Sequence, residues 1–454
     1  MAFTTLNPAT GKVEAEFEPH APAQIEERLA LAARTFSSYR STSFSDRAGW
    51  MRAAADLYDA EQPDIARVLT TEMGKTFAAA KGEVAKCAMC LRWYADRAEA
   101  LLADEMVESP AGRSFVRYQP LGPVLAVMPW NFPLWQVVRF AAPALMAGNV
   151  GLLKHASNVP QSALLIEDLF RRAGFPDGAF STLLVSAAEV AKIIEDDRVV
   201  AVTLTGSGAA GRSVAAAAGA ALKKCVLELG GSDPFLVLSS ADLDRAVDVA
   251  VQARVQNNGQ SCIAAKRFVV VDAVAGEFVP RFADAMAALS VGDPFDSATD
   301  VGPLVSEAQR TEVAAQVDDA RAKGAVVVCG GETLPGDGWY YQPTVLTEVG
   351  PGMRAYDEEV FGPVAVVEPV ADLDEAIRVA NRTSFGLGSS VWTRDPEEQR
   401  RCIEELAAGM VFVNAMVAST PELPFGGIKR SGFGRELSNL GIKEFCNAKA
   451  VRVA

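Results

Sequence analysis

The sequence predicts an α/β fold with two parallel sheets, and two patterns in the 454-residue chain support this prediction. Short apolar runs alternate with amphipathic segments from "VLAVMPW" (124–130) to "CVLELGG" (225–231). The alternation starts again after Gly231, with "FLVLS", "RFVVV", "AVVVCG" and "VAVVEPV" as the apolar runs. Buried strands separated by helices form parallel sheets that are covered on both faces. We therefore expect two α/β domains.

The chain before Leu102 is mainly helical by pattern, as in "APAQIEERLALAARTFSSYR". The next segment, "MVESPAGRSFVRYQPLG", contains two short extended runs separated by Pro110 and Gly112, which is typical of a β-hairpin. In the first alternating region the helices are "PLWQVVRFAAPALMAG", "PQSALLIEDLFRRAG", "AAEVAKIIEDD" and "AGRSVAAAAGAALKK". The final "NAKAVRVA" is predicted as a strand, and its partner is either the hairpin or another subunit.

Composition excludes several classes of protein. A net charge of −14 argues against a nucleic-acid binder, which needs a basic face. The start "MAFTTLNPATGKVEAEF" has no signal-peptide pattern, and Pro, Gly or charge interrupts every apolar run before it could cross a membrane. Seven cysteines do not suggest a disulfide framework, and two histidines exclude a His-rich metal site. We expect a cytoplasmic protein that binds no metal.

A glycine pattern in "TLTGSGAAGRS" points to a dinucleotide. Gly206, Gly208 and Gly211 have G-x-G-x-x-G spacing between a predicted strand and a predicted helix, and Glu228 follows about 20 residues later. By this rule a pyrophosphate lies at the helix N-terminus and Glu228 holds the adenosine ribose. The alternative is a small-residue helix that packs closely on its sheet.

Cys262 lies in "NNGQSCIAAKR", among small and polar residues. A lone cysteine is usually a packing residue, because free cysteine is among the most buried residue types. A nucleophilic thiol is the alternative, and this stretch alone does not decide between the two.

Six sequence motifs decide between these two interpretations of Cys262. "PWNFPLW", "LTGSGAAG", "LELGGSDPF", "GQSC", "EEVFGPV" and "PFGGIKRSGFGRE" span residues 129 to 436. Their order and spacing resemble the aldehyde dehydrogenase superfamily, and within it the succinate-semialdehyde dehydrogenases of the NADP-linked bacterial type. The resemblance implies a Rossmann-like cofactor domain (1–104 and 122–228), a catalytic domain (229–444), and a small β element for oligomerisation (105–121 and 445–454). It also implies a homodimer or a dimer of dimers.

The resemblance implies the catalytic roles. Cys262 is the nucleophile, and Asn131 together with the Cys262 backbone N–H binds the oxyanion. Glu228 activates the water that hydrolyses the thioester, so it is not the ribose ligand that the glycine rule suggests. Glu436 either relays protons or is a surface glutamate.

NADP is the implied cofactor, with NAD as a weaker alternative. Related NAD-linked enzymes often have a glutamate where this chain has Ser157; a serine tolerates a 2′-phosphate there, and Lys154 adds positive charge. The implied cofactor-binding residues are Trp130, Lys154, His155, Ala156, Ser157, Gly206, Ser207, Glu359 and Phe361.

The expected substrate is a small aldehyde that carries a carboxylate, with succinic semialdehyde as the first choice. Trp135 and Arg139 are four residues apart on one predicted helix face, and an arginine suits a carboxylate. Ser419 matches a serine that relatives use for the same group. Many relatives have a second arginine where this chain has Gln256, so a broader enzyme for glutarate semialdehyde or medium-length aldehydes is the alternative. Arg139 could instead pin a loop or an interface.

Overall fold

The computed structural model describes residues 3–110 and 112–453, and it confirms the predicted α/β class. Two mainly parallel sheets form the frame of the molecule, and helices pack against them. The outermost residues of the predicted ranges 1–104 and 445–454, and Ala111 of the predicted hairpin, lie outside the described residues. In the described part of the chain, no helix combines the length and apolarity that a membrane crossing requires.

The N-terminal region begins with a hairpin that the mainly helical pattern did not predict. Its strands are β1 (Phe3–Asn7) and β2 (Lys12–Phe17). The connection is a turn because Asn7 Oδ1 accepts a hydrogen bond from the Ala9 N–H at 3.0 Å and Gly11 adopts a φ of +67°. Helices follow as predicted: α1 (Pro22–Tyr39), α2 (Phe44–Ala60), α3 (Gln62–Met73) and α4 (Phe77–Leu101).

The hairpin that the sequence predicts after Leu102 is present. Strands β3 (Glu105–Val107) and β4 (Arg113–Pro120) pair antiparallel, with Met106 opposite Phe115.

The first parallel sheet follows the predicted alternation. Its segments are β5 (Pro123–Met128), α5 (Trp135–Ala147), β6 (Val150–His155), α6 (Pro160–Arg172), β7 (Phe180–Thr182), α7 (Val190–Glu195), β8 (Ala201–Thr205), α8 (Gly208–Ala220) and β9 (Lys224–Glu228). The spatial order is β9-β8-β5-β6-β7, so the carboxyl ends of β5 and β8 are adjacent. Helix α8 lies close to the chain after β9, because a Cβ at Gly211 would stand 2.6 Å from Leu229 Cδ2.

The second sheet has the order β12-β13-β14-β11-β10-β15-β16, and only β12 is antiparallel. Its segments are β10 (Asp233–Val237), α9 (Leu243–Val255), β11 (Ala265–Val271), α10 (Asp272–Ala287), α11 (Glu307–Ala322), β12 (Val326–Cys329), β13 (Thr344–Thr347), α12 (Arg354–Asp357), β14 (Val364–Val370), α13 (Leu373–Asn381), β15 (Gly388–Trp392), α14 (Pro396–Glu405) and β16 (Met410–Val413). Strands β10 and β11 lie in the interior of this sheet, and the loop before β11 contacts the segment after β5 through the hydrogen bond from Asn131 Nδ2 to the Gln260 carbonyl.

The end of the chain returns to the first sheet. It contains β17 (Gly432–Phe433), α15 (Ser438–Gly441) and β18 (Cys446–Val453). Strand β17 pairs antiparallel with β9, which brings the chain near Glu436 beside the end of β9. Strand β18 pairs with β4 over its whole length, so the partner of the terminal strand within the chain is the predicted hairpin.

Candidate active site

A cavity of about 280 Å³ opens where the two sheets face each other. Segments that follow β5, β8, β9 and α9 line it, together with the chain before β14. Seven residues that the sequence predicts for the site are among its lining residues: Trp130, Asn131, Gly206, Ser207, Cys262, Glu359 and Phe361. The structure therefore brings the predicted nucleophile, oxyanion donor and several cofactor residues into one cavity.

The loop that presents Cys262 has a strained entry. Asn257 and Asn258 both adopt left-handed backbone angles, with φ of 56° and 57°. Gly259 follows at φ +76°, and a Cβ there would lie 2.4 Å from the Gly362 carbonyl carbon. Asparagine and glycine tolerate this region best, so "NNG" is a signal for the loop that the sequence reasoning did not use.

Asn131 is tied to the same loop. Its side-chain Nδ2 donates to the Gln260 carbonyl at 3.1 Å, and Asn257 Nδ2 donates to the Asn131 carbonyl at 2.7 Å. An asparagine amide has two N–H groups, so one remains for a ligand. The two loops are thereby fixed relative to each other, with the amide and the thiol on one cavity.

Burial raises the pKa of the Cys262 thiol to about 12, while the positive charges of Arg139 and Lys266 act in the opposite direction. Lys266 also braces the loop, because its Nζ donates to the carbonyls of Ser261 and Cys262 at 2.9 and 2.8 Å. The sequence reasoning missed Lys266. A lysine at the start of a predicted strand carries no local signal of this role.

Glu228 ends β9 in a fully enclosed position. Both carboxylate oxygens are buried, and neither has a hydrogen-bond partner among residues 3–110 and 112–453. Burial, followed by the negative charge of Glu436, raises the pKa of Glu228 well above its usual range, and Arg139 opposes the shift. An unpartnered carboxyl group with a raised pKa suits a group that takes up a proton.

Arg139 forms a buried ion pair with Glu436. Its Nη2 also donates to Thr205 Oγ1 at 3.2 Å, and its guanidinium lies 4.3 Å from the centre of the Phe425 ring. The prediction that Arg139 binds the substrate carboxylate stays a prediction, but a carboxylate of this chain already neutralises the guanidinium. These contacts fit the alternative in which Arg139 pins a loop, here the segment that follows β17.

Trp135 and Ser419, the two other residues predicted for the substrate, are in direct contact. Trp135 Nε1 donates to Ser419 Oγ at 2.9 Å. Lys86 of α4 completes the group, because its Nζ donates to the same oxygen at 2.9 Å and lies 4.1 Å from the centre of the Trp135 ring. The sequence reasoning did not single out Lys86.

A second cavity, of about 790 Å³, includes Lys154 and Ser157 in its lining. The lining also includes His20, several apolar residues, and Lys192, whose Nζ pairs with the Glu189 carboxylate of the same wall at 3.3 Å. Burial alone lowers the pKa of Lys154, since no neighbouring charge contributes to the shift. Lys154 has no ion-pair partner among residues 3–110 and 112–453, and such a cation next to a serine fits the 2′-phosphate that the sequence predicts.

His155 and Ala156 lie beside these residues, and the His155 ring forms hydrogen bonds with backbone groups. The Ala156 N–H donates to His155 Nδ1 at 2.9 Å, so the ring proton is on Nε2, which donates to the Pro133 carbonyl at 2.9 Å. Burial lowers the pKa of His155 to about 4, and the ring stays neutral. His155 thus holds the loop that carries Asn131, and its predicted contact with a cofactor stays a prediction.

The remaining cofactor residues form one wall of the first cavity. A Cβ at Gly206 would meet only Leu204 Cδ2, at an ordinary 3.6 Å, so packing within the chain does not require a glycine there, and its predicted contact with a cofactor stays a prediction. Ser207 caps α8 by accepting from the Ala210 N–H at 3.3 Å. Glu359 accepts from the Gly231 N–H at 3.2 Å, and Phe361 packs edge-on against Trp130 at 5.6 Å.

Comparison with known proteins agrees with this geometry. The sequence profile of the aldehyde dehydrogenase family matches residues 1–451. The NADP-dependent succinate-semialdehyde dehydrogenase 1 of Mycobacterium tuberculosis H37Rv is 59% identical, and the alignment covers 100% of both chains. The structure of succinic semialdehyde dehydrogenase from Streptococcus pyogenes in complex with NADP⁺ has a TM-score of 0.98 at 36% identity and covers 100% of both chains. That of Gox0499 has a TM-score of 0.99 at 43% identity, also over 100% of both. This chain belongs to the aldehyde dehydrogenase family.

Proposed function

We propose that the protein oxidises succinic semialdehyde to succinate with NADP as the oxidant. The observation that carries the proposal is the cavity shared by the Cys262 thiol, the Asn131 amide and the cofactor wall. The names of the similar proteins support the choice of aldehyde and of NADP over NAD.

The proposed chemistry assigns one role to each of these side chains and to Glu228. The Cys262 thiolate attacks the aldehyde carbon, and the second Asn131 N–H and the Cys262 backbone N–H stabilise the oxyanion. When bound, the oxidised cofactor supplies the hydride acceptor. Collapse of the tetrahedral adduct leaves a thioester on Cys262. Glu228 takes a proton from the attacking water, the thiolate leaves, and the acid is released.

The residues of the second cavity support NADP in particular. In the described part of the chain no carboxylate contributes to the pKa shift of Lys154, and Ser157 is an exposed hydroxyl in the lining of the same cavity. A 2′-phosphate accepts hydrogen bonds from both groups. The cofactor would therefore lie across the carboxyl ends of β5, β6 and β8, with its phosphates at the N-terminus of α8.

We also propose that the chain forms a homodimer or a dimer of dimers in the cytoplasm. The sheet β18-β4-β3 supports an interface, because its edge strands expose the large apolar side chains of Met106, Val107 and Val453.

Initial rates test the function. The purified protein is assayed with NADP and with NAD against succinic semialdehyde, glutarate semialdehyde and butanal. The proposal expects the highest kcat/KM with NADP and succinic semialdehyde. Similar kcat/KM values for all three aldehydes would instead favour the broader enzyme, for which Gln256 in place of a second arginine is the motivating feature.

A further inference from the structure

The Lys266 ammonium lies against the loop that presents Cys262, and four acceptors surround it. Its Nζ donates to the backbone carbonyls of Ser261, Cys262 and Ala264 at 2.9, 2.8 and 3.3 Å. The fourth acceptor is the Glu359 carboxylate, whose Oε1 lies 3.2 Å from the same nitrogen. An ammonium has three N–H groups, so these acceptors occupy all of them and leave none for a ligand. Lys266 therefore acts on other residues of the chain.

Through these contacts Lys266 connects two walls of the catalytic cavity. Cys262 and Glu359 both line this cavity, one on the loop before β11 and the other on the segment before β14. Lys266 is the second residue of β11, which pairs directly with β14. Only 2% of its side chain is exposed, so the ammonium is held in place between the two walls.

The Glu359 carboxylate is engaged through one oxygen only. Oε1 accepts from the Gly231 N–H and lies beside the Lys266 ammonium, each at 3.2 Å. Among residues 3–110 and 112–453, no donor forms a hydrogen bond with Oε2. An ionised carboxylate accepts on both oxygens, so Oε2 is available to the hydroxyl groups of a bound ligand. The ribose next to the nicotinamide has such hydroxyls, and Glu359 is the residue predicted to bind it.

We propose that Lys266 is a positioning residue that keeps the site for the nicotinamide ribose in register with Cys262. The inference rests on the proposed function. Lys266 holds Glu359 through Oε1, which leaves Oε2 for the ribose, and it holds the Cys262 carbonyl with the same ammonium. One side chain thus orients the group that binds the hydride-accepting end of the cofactor and the residue that carries the substrate.

The binding of two ligands tests the inference without turnover. NADP contains the nicotinamide ribose, whereas adenosine 2′,5′-bisphosphate contains only the part of NADP that Lys154 and Ser157 are expected to bind. Lys266→Met should raise the Kd of NADP about 3- to 10-fold in calorimetry, because Glu359 loses a group that orients it. The Kd of adenosine 2′,5′-bisphosphate should not change. A general disturbance of the fold would weaken both ligands.

Lys323→Met is the matched control. Lys323 also bridges a carboxylate and a carbonyl, because its Nζ lies 2.8 Å from Asp319 Oδ1 and donates to the Gly352 carbonyl at 2.6 Å. None of these three residues lines the catalytic cavity. This variant should leave both Kd values unchanged.

A double-mutant cycle tests whether Lys266 acts through Glu359. Lys266→Met is made in the wild type and in Glu359→Gln, and the Kd of NADP is measured for all four proteins. The substitution of Lys266 should raise the Kd by a smaller factor in the Glu359→Gln background, because the carboxylate that it orients is already absent. Equal factors in the two backgrounds would show that Lys266 acts by another route and would overturn the inference.

The contact with the Cys262 loop has its own readout in kcat. With saturating NADP, Lys266→Met should lower kcat about 10-fold or more for succinic semialdehyde and for butanal alike, because reacting groups that are out of register affect both aldehydes. Lys266→Gln keeps an N–H donor and should recover part of kcat and part of the affinity for NADP. An unchanged kcat in Lys266→Met would remove the link to Cys262.

The outcomes separate the two proposals. A wild type that prefers butanal or NAD overturns the proposed function, and the role of Lys266 is then tested with NAD, which contains the same nicotinamide ribose. An unchanged Kd of NADP in Lys266→Met, or an equal loss for NADP and adenosine 2′,5′-bisphosphate, overturns the role of Lys266. If Lys266→Met does not fold, the same comparisons with Lys266→Gln decide.

Discussion

The environment of Cys262 opposes ionisation, and this gives a prediction at the scale of one residue. With a pKa of about 12, the thiolate fraction in the protein without cofactor should rise tenfold per pH unit over the whole neutral and mildly alkaline range. Alkylation of Cys262 by iodoacetamide, followed by peptide mass spectrometry, should therefore accelerate up to about pH 10 with no plateau. A plateau near the ordinary thiol pKa of about 8.5 would show that burial does not control this group.

Ser157 should set the choice of cofactor. Ser157→Glu places a carboxylate where the 2′-phosphate is expected, and close like charges repel by up to about 4 kcal/mol at a surface-like dielectric before screening. The variant should shift the ratio of kcat/KM values from NADP toward NAD, less so at high salt. Ser41→Glu adds the same charge on an exposed serine outside this cavity and serves as the control. An unchanged ratio in Ser157→Glu, or a wild type that prefers NAD, contradicts the assignment.

At this scale, local motifs predicted much of the candidate site, and distant contacts account for what they missed. Short segments with recognisable glycine and polar-residue patterns contain Cys262, Asn131 and Gly206. The structure places these three residues in the lining of one cavity. Lys86 stands in an ordinary helical pattern, and its partner Ser419 is 333 residues away. The same holds for Arg139, whose neutralising partner lies after β17. No local spacing encodes either contact.

At the scale of elements, the Arg139–Glu436 pair joins α5 to the segment after β17. Arg139→Leu should cost about 3–5 kcal/mol in the free energy of unfolding, because Glu436 would remain as a buried acid without its ion-pair partner. Urea denaturation measures the loss. The double variant Arg139→Leu/Glu436→Leu should recover much of it, since both charges are then absent.

The same variant separates a pinning role from a substrate role. The positive charge of Arg139 favours the ionised form of Glu228, so removing Arg139 should raise the pKa of Glu228 further. The rise of kcat with pH should then occur at a higher pH. Arg139→Leu should therefore impair succinic semialdehyde and butanal alike. If kcat/KM falls only for succinic semialdehyde and the stability is unchanged, Arg139 binds the substrate carboxylate instead.

Hydrophobic alternation predicted the parallel strands and their helices, because a buried strand is a continuous apolar run. It failed for β1 and β2, because these partly exposed strands mix polar and apolar side chains. The residues between them, "NPATG", are typical of a turn. It also failed for β17, which is two residues long and exists only because it pairs with β9. Short strands of this kind depend on their neighbours and not on their own sequence.

At the scale of the whole molecule, β18 connects the terminus to the hairpin and forms one edge of an exposed sheet. Removing residues 446–454 should yield a smaller species in light scattering and a lower melting temperature, because β4 loses its partner and the proposed interface loses an edge. Val13→Asp, at an exposed apolar position on the separate N-terminal hairpin, is the control and should leave the size unchanged. If the truncated chain forms an assembly with the same number of subunits as the wild type, the interface does not involve β18.

The central claim is that Cys262 carries the oxidised substrate and Glu228 releases it. The most direct measurement is the intact mass of Glu228→Gln protein after mixing with NADP and succinic semialdehyde. The account predicts a burst of at most one NADPH per site, and a protein heavier by one succinyl group, located on the peptide that contains Cys262. Cys262→Ala should show neither the burst nor the added mass. An unmodified Glu228→Gln protein that turns over at the wild-type rate would contradict the account.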